Sequence, residues 1–369
     1  MRNNVPFLIV FIDALSYGFI KKNNGKLINI NSFSYEYKLL PTAGYSSNIH
    51  WLLFANRKPD DLNYFTDWNI VGEKADRSKK NICLKSLSFI DKVDYFSDTL
   101  RIFLRYSGLI KNNLPFSEIN LFENKAIYFF NQSKNTKYNL FRKKFLFIDY
   151  DKHKRKIGLI IENAKNEKIN IFIFSRCLDE IGHLYGPESN QYKNYTENLF
   201  KCLEIILTKV LKEAKYNVIL ISDHGMTEIK SYINILKPLY LEFGYPGEDY
   251  IIYCDSVYLR VWSKYGCLIE KIRRYLSSIE IIKILTEEER RMYGIRKVKF
   301  GNLICVLKEG YAFNPNHFGL IIRKYPRGMH GYLDRSDNNT GLILANIKLF
   351  NEREIYPWDF YDKLFNLLI

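Results

Sequence analysis

The sequence has no CxxC pair; its six cysteines (Cys83, Cys177, Cys202, Cys254, Cys267 and Cys305) are scattered through 369 residues. That spacing excludes a zinc ribbon and a dense disulfide framework, and it reads as thiols kept in a reducing, cytoplasmic compartment. Long apolar runs are lacking too. The N-terminal run Val5 to Ile12 is cut by Asp13, too short for a membrane span and without a small-residue cleavage site close behind, so no membrane partner is expected. No internal repeat or low-complexity tract is evident. Acidic residues are in deficit, 40 Asp+Glu against 55 Lys+Arg, for a net charge of +15. With 16% aromatics, that balance raises the question of a nucleic-acid partner. The basic residues are spread along the chain, however, and no RNA- or DNA-binding signature stands among them. A basic nucleic-acid-binding protein without catalysis is therefore kept only as a second alternative.

Apolar residues make up 47% and charged residues 26%, the balance of a globular protein long enough to bury a sizeable core. Short apolar runs, Phe7 to Ile12, Ile169 to Phe174, Asn217 to Ile221 and Gly341 to Ala345, fit strands of a parallel sheet buried on both faces. Helical periodicity follows Ser47 and returns from about 190 to 215, where Tyr195, Leu199, Leu203 and Ile206 recur at three- and four-residue steps. Alternating strands and helices predict an α/β fold. Residues of about 95–155 lack that rhythm and read as an irregular insertion. Within about 240–325, Ile251 to Trp262 reads as a strand and Cys267 to Ile279 as an amphipathic helix, hence a smaller α+β cap. Asp151 to Lys156 (DKHKRK) reads as a solvated turn.

Metal-ligating side chains fall where such a sheet presents its ligands, beyond the carboxyl ends of strands. Asp13 follows the first apolar run, Asp179 and His183 the second, and Asp223 and His224 the third, while His330 precedes the fourth. Taken singly each has an ordinary explanation. Asp13 could cap a turn, and Asp179 and His183, four apart, could chelate from one helix face or form a surface pair. Taken together, three carboxylates and three imidazoles suit zinc and related divalent metals.

The ordered set IDA at Asp13, GYSSNIH around Ser46, D-x-x-G-H-x-x-G-P from Asp179 to Pro187, SDHGM from Ser222 and GMHGY from Gly328 resembles the alkaline phosphatase superfamily. Within it, the type I phosphodiesterase/nucleotide pyrophosphatase branch is the nearest match. The resemblance implies an alkaline phosphatase-like core, with a mostly parallel central sheet flanked by helices, over residues 1–240 and 326–369, and a cap over 241–325. It implies two divalent metal ions, zinc first and manganese as the alternative. One would be held by Asp179, His183 and His330, the other by Asp13, Asp223 and His224. The implied activity is metal-dependent cleavage of phosphodiester or pyrophosphate bonds in a small-molecule or nucleotide-like substrate, through a phosphoserine intermediate. A phosphomonoesterase or phospho-group transferase is the alternative.

In the branch's pattern the nucleophile stands ten residues before a glycine; with Asn56 at that place the count falls on Ser46, with Ser47 as the neighbouring choice and Thr42 a distant third. Both serines also read as helix N-cap residues. Asn48 is the candidate donor to a phosphate oxygen, since the branch's asparagine position holds Ile49. The usual H-G-I is replaced by Asp60 to Trp68, and the T-G element by Ala55-Asn56. These departures bear on substrate class more than on metal binding. A sulfatase is disfavoured, because the GYSSNIH segment has neither Cys nor a C-x-P-S-R element. His50 reads either as a neighbour of the ligands or as a packed histidine, the second being favoured, and His317 reads as a loop residue. Lys264, Lys271, Arg273 and Arg274 could steer an anionic substrate from the cap or form the solvated face of its helix.

Overall fold

In the computed structural model the described residues are 5–23, 33–70, 100, 103–104, 107, 114, 118, 122–124, 143–154, 156–213, 216–247, 249–317 and 325–368. Most of the stretch read as an irregular insertion, and Cys83, lie outside them. The chain divides into two compact units: residues 1–57, 127–228 and 326–369 form the first, and 58–126 and 229–325 the second.

The first unit is built on a seven-stranded sheet. Its strands are β1 (Phe7–Ile12), β2 (Tyr35–Leu39), β3 (Phe145–Asp149), β4 (Asn170–Ser175), β5 (Asn217–His224), β6 (Thr340–Ala345) and β7 (Glu354–Ile355). Every residue of β1 is buried. With no polar residue to turn toward water, it occupies the interior of the sheet, parallel to β4 on one side and β5 on the other. Strand β3, inside the segment read as lacking strand–helix alternation, extends the sheet parallel to β4. The Gly341–Ala345 run predicted a strand of the parallel set, but β6 runs antiparallel to both β5 and β2. A run buried on both faces has the same composition in either direction, so the sequence does not disclose it.

Helices cover both faces. They are α1 (Tyr17–Lys22), α2 (Ser46–Ala55), α3 (Ile157–Asn166), α4 (Cys177–Tyr185), α5 (Asn190–Glu213) and α6 (Pro357–Leu368). Leu8, Val10 and Ile12 pack with Leu199, Phe200, Leu203 and Ile206 of α5. On the opposite face Phe11 meets Phe54 of α2 edge-on, and Phe54 meets Phe360 of α6. None of the helices among the described residues is long and apolar enough to cross a membrane.

The second unit carries a four-stranded antiparallel sheet of Ile251–Cys254, Tyr258–Trp262, Leu303–Leu307 and Ile282–Ile284, paired in that order. The run read as one strand from Ile251 to Trp262 is thus a hairpin. Its turn is fastened by Asp255, whose Oδ1 accepts from the backbone N–H groups of Val257 and Tyr258. Gly266–Ser277 is an amphipathic helix with Ile269, Ile272 and Leu276 buried. Lys271 and Arg274 are exposed and Arg273 bonds Glu270, so these residues form the helix's solvated face. His317 is buried and structural, its Nδ1 accepting from the backbone N–H of Cys254.

Candidate active site

The sheet brings four ligand-bearing segments to one edge of the first unit. Asp13 lies just past the end of β1, its N–H bonded to the carbonyl of Ser175 at the end of β4. After β4 comes α4, which carries Asp179 and His183 on one face. Asp223 and His224 are the last residues of β5. Because β6 is reversed, its first residue, Thr340, pairs with His224, and the loop containing His330 arrives at the same edge. Gly328 and Met329 pair antiparallel with Glu228 and Thr227 beside it.

All six predicted metal ligands are brought together, in the predicted two sets. Ligating atoms of Asp179, His183 and His330 lie within 4.8 Å of one another, as do those of Asp13, Asp223 and His224. The sets adjoin: the His224 and His330 rings stack 3.8 Å apart with 9° between their planes. Ser46 joins them, its Oγ 2.7 Å from Nε2 of His224.

The serine is delivered by the start of α2. Gly44 has φ +111°, and a Cβ there would lie 2.6 Å from Oδ1 of Asn48, so only glycine allows the tight entry. The helix caps on Tyr45, not on either serine, and Ser46 is the first helical residue. The capping expectation is thus corrected, and the Ser46 hydroxyl faces His224 instead. Ser47 is buried, as is Asn48, whose carboxamide lies against Gly44. At the far end Asn56 takes a left-handed conformation (φ 45°, ψ 50°) and closes the helix. Asparagine tolerates that conformation, which explains how it replaces the branch's glycine there.

The donor set fits divalent cations. Nδ1 of His224 is 2.8 Å from the Gly225 carbonyl, and Nδ1 of His183 is 2.9 Å from that of Gly328. A carbonyl only accepts, so each Nδ1 carries hydrogen and each Nε2 points into the site as the ligating atom. Nε2 of His224 stands 3.3 Å from carboxylate oxygens of both Asp13 and Asp223. Nε2 of His183 stands 3.4 Å from Asp179. Carboxylates this close favour a proton on each of these nitrogens in the metal-free site, the place a divalent cation would take. Oδ1 of Asp13, Asp179 and Asp223 and Nδ1 of His330 are buried without hydrogen bonds, which is costly for polar atoms.

The charges bear this out. Burial, and then the Asp223 and Asp179 charges, push Asp13 up to about 7. Burial disfavours charge on His224, but Asp223 and Asp13 outweigh it and push the imidazole up to about 10. Burial likewise works to raise Asp179, yet His183 and His330 hold it below the usual carboxylate range. Burial and the neighbouring His224 push His330 well down.

Several supporting groups escaped the sequence reading. Ser222 joins two ligand loops: its Oγ accepts from the Leu15 N–H and donates to the His224 carbonyl, each at 2.9 Å. Gly328 presses so closely on α4 that a Cβ would lie 2.5 Å from the Gly182 carbonyl oxygen; the glycines of D-x-x-G-H and G-M-H-G therefore seat the two segments of one ligand set together. Asp151 is not the solvated turn residue its charged neighbours suggest. Its Oδ2 accepts from the Arg176 and Cys177 N–H groups at the start of α4, and its Oδ1 from the Tyr195 and Ser175 hydroxyls. Burial opposes its charge, but these donors hold its pKa below the ordinary 3.8. Its stabilisation is therefore present above that value and lost as pH falls through the folded one. Asp151→Ala is expected to cost about 2 kcal/mol, as the loss of a helix cap and a buried acceptor does. Urea denaturation at neutral pH checks this; an unchanged midpoint would contradict it.

The chain falls among the phosphoric ester hydrolases. The family model described as type I phosphodiesterase / nucleotide pyrophosphatase matches residues 125–333, more than half of the chain, and the chain belongs to that family. Murine ectonucleotide pyrophosphatase / phosphodiesterase 5, in an inactive form in complex with AMP, superposes with a TM-score of 0.62 at 18% identity, over 99% of this chain and 95% of its own. Human ectonucleotide pyrophosphatase / phosphodiesterase 5 gives 0.59 at 17% identity, over 98% and 94%. Phosphonoacetate hydrolase from Sinorhizobium meliloti 1021, in complex with phosphonoformate, gives 0.62 at 12% identity, over 99% and 95%. At these identities the likeness establishes the fold. Family membership also displaces the non-catalytic nucleic-acid reading.

Proposed function

We propose that the chain is a metal-dependent phosphodiesterase or pyrophosphatase acting through a phospho-Ser46 intermediate. The observation that carries this is the 2.7 Å approach of Ser46 Oγ to His224 Nε2, at the junction of two ready-made sets of carboxylate and imidazole ligands. Asp179, His183 and His330 would hold one divalent ion and Asp13, Asp223 and His224 the other; zinc and manganese both suit ligands without thiolate. When bound, such a pair neutralises charge at the attacking and leaving oxygens and acidifies a nearby hydroxyl. Ser46 attacks phosphorus: its Oγ–P bond forms and the bond to the leaving oxygen breaks. Water then cleaves Oγ–P and releases the phosphate product. Asn48 is the proposed donor to a phosphate oxygen. The relatives in complex with AMP and phosphonoformate support a small anionic phosphate ester as substrate. Among the described residues five cysteines are free thiols, the state a reducing compartment maintains, and the location proposed is cytoplasmic.

The test is hydrolysis of a p-nitrophenyl phosphodiester, compared with the monoester on one preparation. Activity should vanish after chelation and return with zinc or manganese, the diester being the faster substrate. A faster monoester would favour the phosphomonoesterase alternative; undiminished activity after exhaustive chelation would contradict metal dependence. Metal uptake has a pH signature. In the metal-free site His224 titrates near 10 and Asp13 near 7, so at pH 6 loading must expel a proton from each. Apparent metal affinity should rise with pH by about tenfold per unit for each proton expelled, and calorimetric titration between pH 6 and 9 measures it. A pH-independent affinity would contradict the assignment.

A further inference from the structure

Helix α2 carries His50 one turn beyond Ser46, on the same face. Its side chain is buried, and its Nε2 stands 3.1 Å from Oδ2 of Asp223. A carboxylate oxygen only accepts, so Nε2 carries the hydrogen and donates. Phe11 of β1 meets the imidazole edge-on, the ring centroids 5.0 Å apart at 82°, and fixes its plane. The same helix therefore reaches two consecutive residues of β5, Ser46 meeting His224 and His50 meeting Asp223.

The contact holds the Asp223 carboxylate by Oδ2, the oxygen that also stands 3.3 Å from Nε2 of His224. We propose that His50 is a positioning residue: bonding Oδ2, it fixes the orientation of the Asp223 carboxylate within the ligand set that Asp13 and His224 complete. It also fixes the helix of the nucleophile to that ligand set. The inference rests on the reading of the site given above. Groups that orient a ligand in this way change metal affinity by about tenfold to a hundredfold when removed. A purely structural His50 would act through its packing on Phe11, which leucine can reproduce and which has no bearing on the orientation of the Asp223 carboxylate.

The experiment is calorimetric titration of zinc into chelator-stripped wild type, His50→Leu, His50→Gln, Asp179→Asn and the His50→Leu/Asp179→Asn double variant, with thermal melts of each metal-free protein. Wild type should take up two equivalents. His50→Leu should melt close to wild type without metal, keep one tight equivalent and weaken the other by about tenfold to a hundredfold. His50→Gln, whose amide can donate to the same oxygen, should recover most of that loss. The double variant should have no tight equivalent, because the two changes strike different ligand sets. The proposal is overturned if His50→Leu binds two equivalents as tightly as wild type, if glutamine is no better than leucine, or if the double variant keeps a tight ion. It is also overturned if the leucine variant fails to fold without metal, which would make His50 a packing residue. Wild type that takes up no zinc would instead remove the reading of the site itself.

Discussion

Ser46→Ala is expected to lower kcat for phosphodiester hydrolysis by on the order of a thousandfold or more, the scale on which loss of a covalent nucleophile is felt, while Ser47→Ala stays within a few-fold. The reasoning is geometric. Ser46 is half-buried at the first position of α2 with its hydroxyl 2.7 Å from His224, whereas Ser47 is buried. Because Tyr45, not Ser46, occupies the N-cap position, the alanine should leave helix α2 and overall stability nearly unchanged, so the loss would be chemical. Acid-quenched reactions analysed by peptide mass spectrometry give the complementary readout: phosphate on Ser46 in wild type and none in the alanine variant. Phosphate on Ser47, or an active Ser46→Ala protein, would contradict the assignment.

The second large effect is expected from replacing Asp223 and His224 together with alanine. The double variant should lose one equivalent of bound metal and, with it, several kcal/mol of transition-state stabilisation, on the order of a thousandfold in diester hydrolysis. Removing both is the cleaner experiment. Taking one away would strand the other as a buried group next to Asp13 and cost stability of its own. Ser222 keeps its bonds to Leu15 N–H and the residue 224 carbonyl, so the tie between the segments that follow β1 and end β5 should hold. Full activity in the double variant, with metal content measured on the same sample, would contradict the site.

Much of this was legible in the sequence because the ligands sit at positions that the fold itself dictates. A strand buried on both faces must be apolar, and the first acidic residues after it, Asp13, Asp179 and Asp223, mark where the sheet opens to a ligand. What was not legible lies in contacts between residues far apart in the chain. The direction of β6 leaves no compositional trace. The turn inside Ile251 to Trp262 is made by an aspartate side chain, not by glycine or proline, so it lacks the usual punctuation. Asp151 stands in a run of charges that looks solvated, yet it caps α4 through donors 25 and 26 residues away. His50 stands on an apolar helix in which every residue after Ser46 is buried, a setting in which packing is the ordinary explanation, and only the approach of β5 gives it a partner.

The central claim is that two cations lie among these six ligands, beside Ser46. The most direct measurement is anomalous diffraction at the zinc edge from crystals of the zinc-loaded protein. Two peaks are expected, one enclosed by Asp179, His183 and His330 and the other by Asp13, Asp223 and His224 within reach of the Ser46 hydroxyl. A map with no peak in either set, or with zinc bound only elsewhere on the chain, would contradict the account.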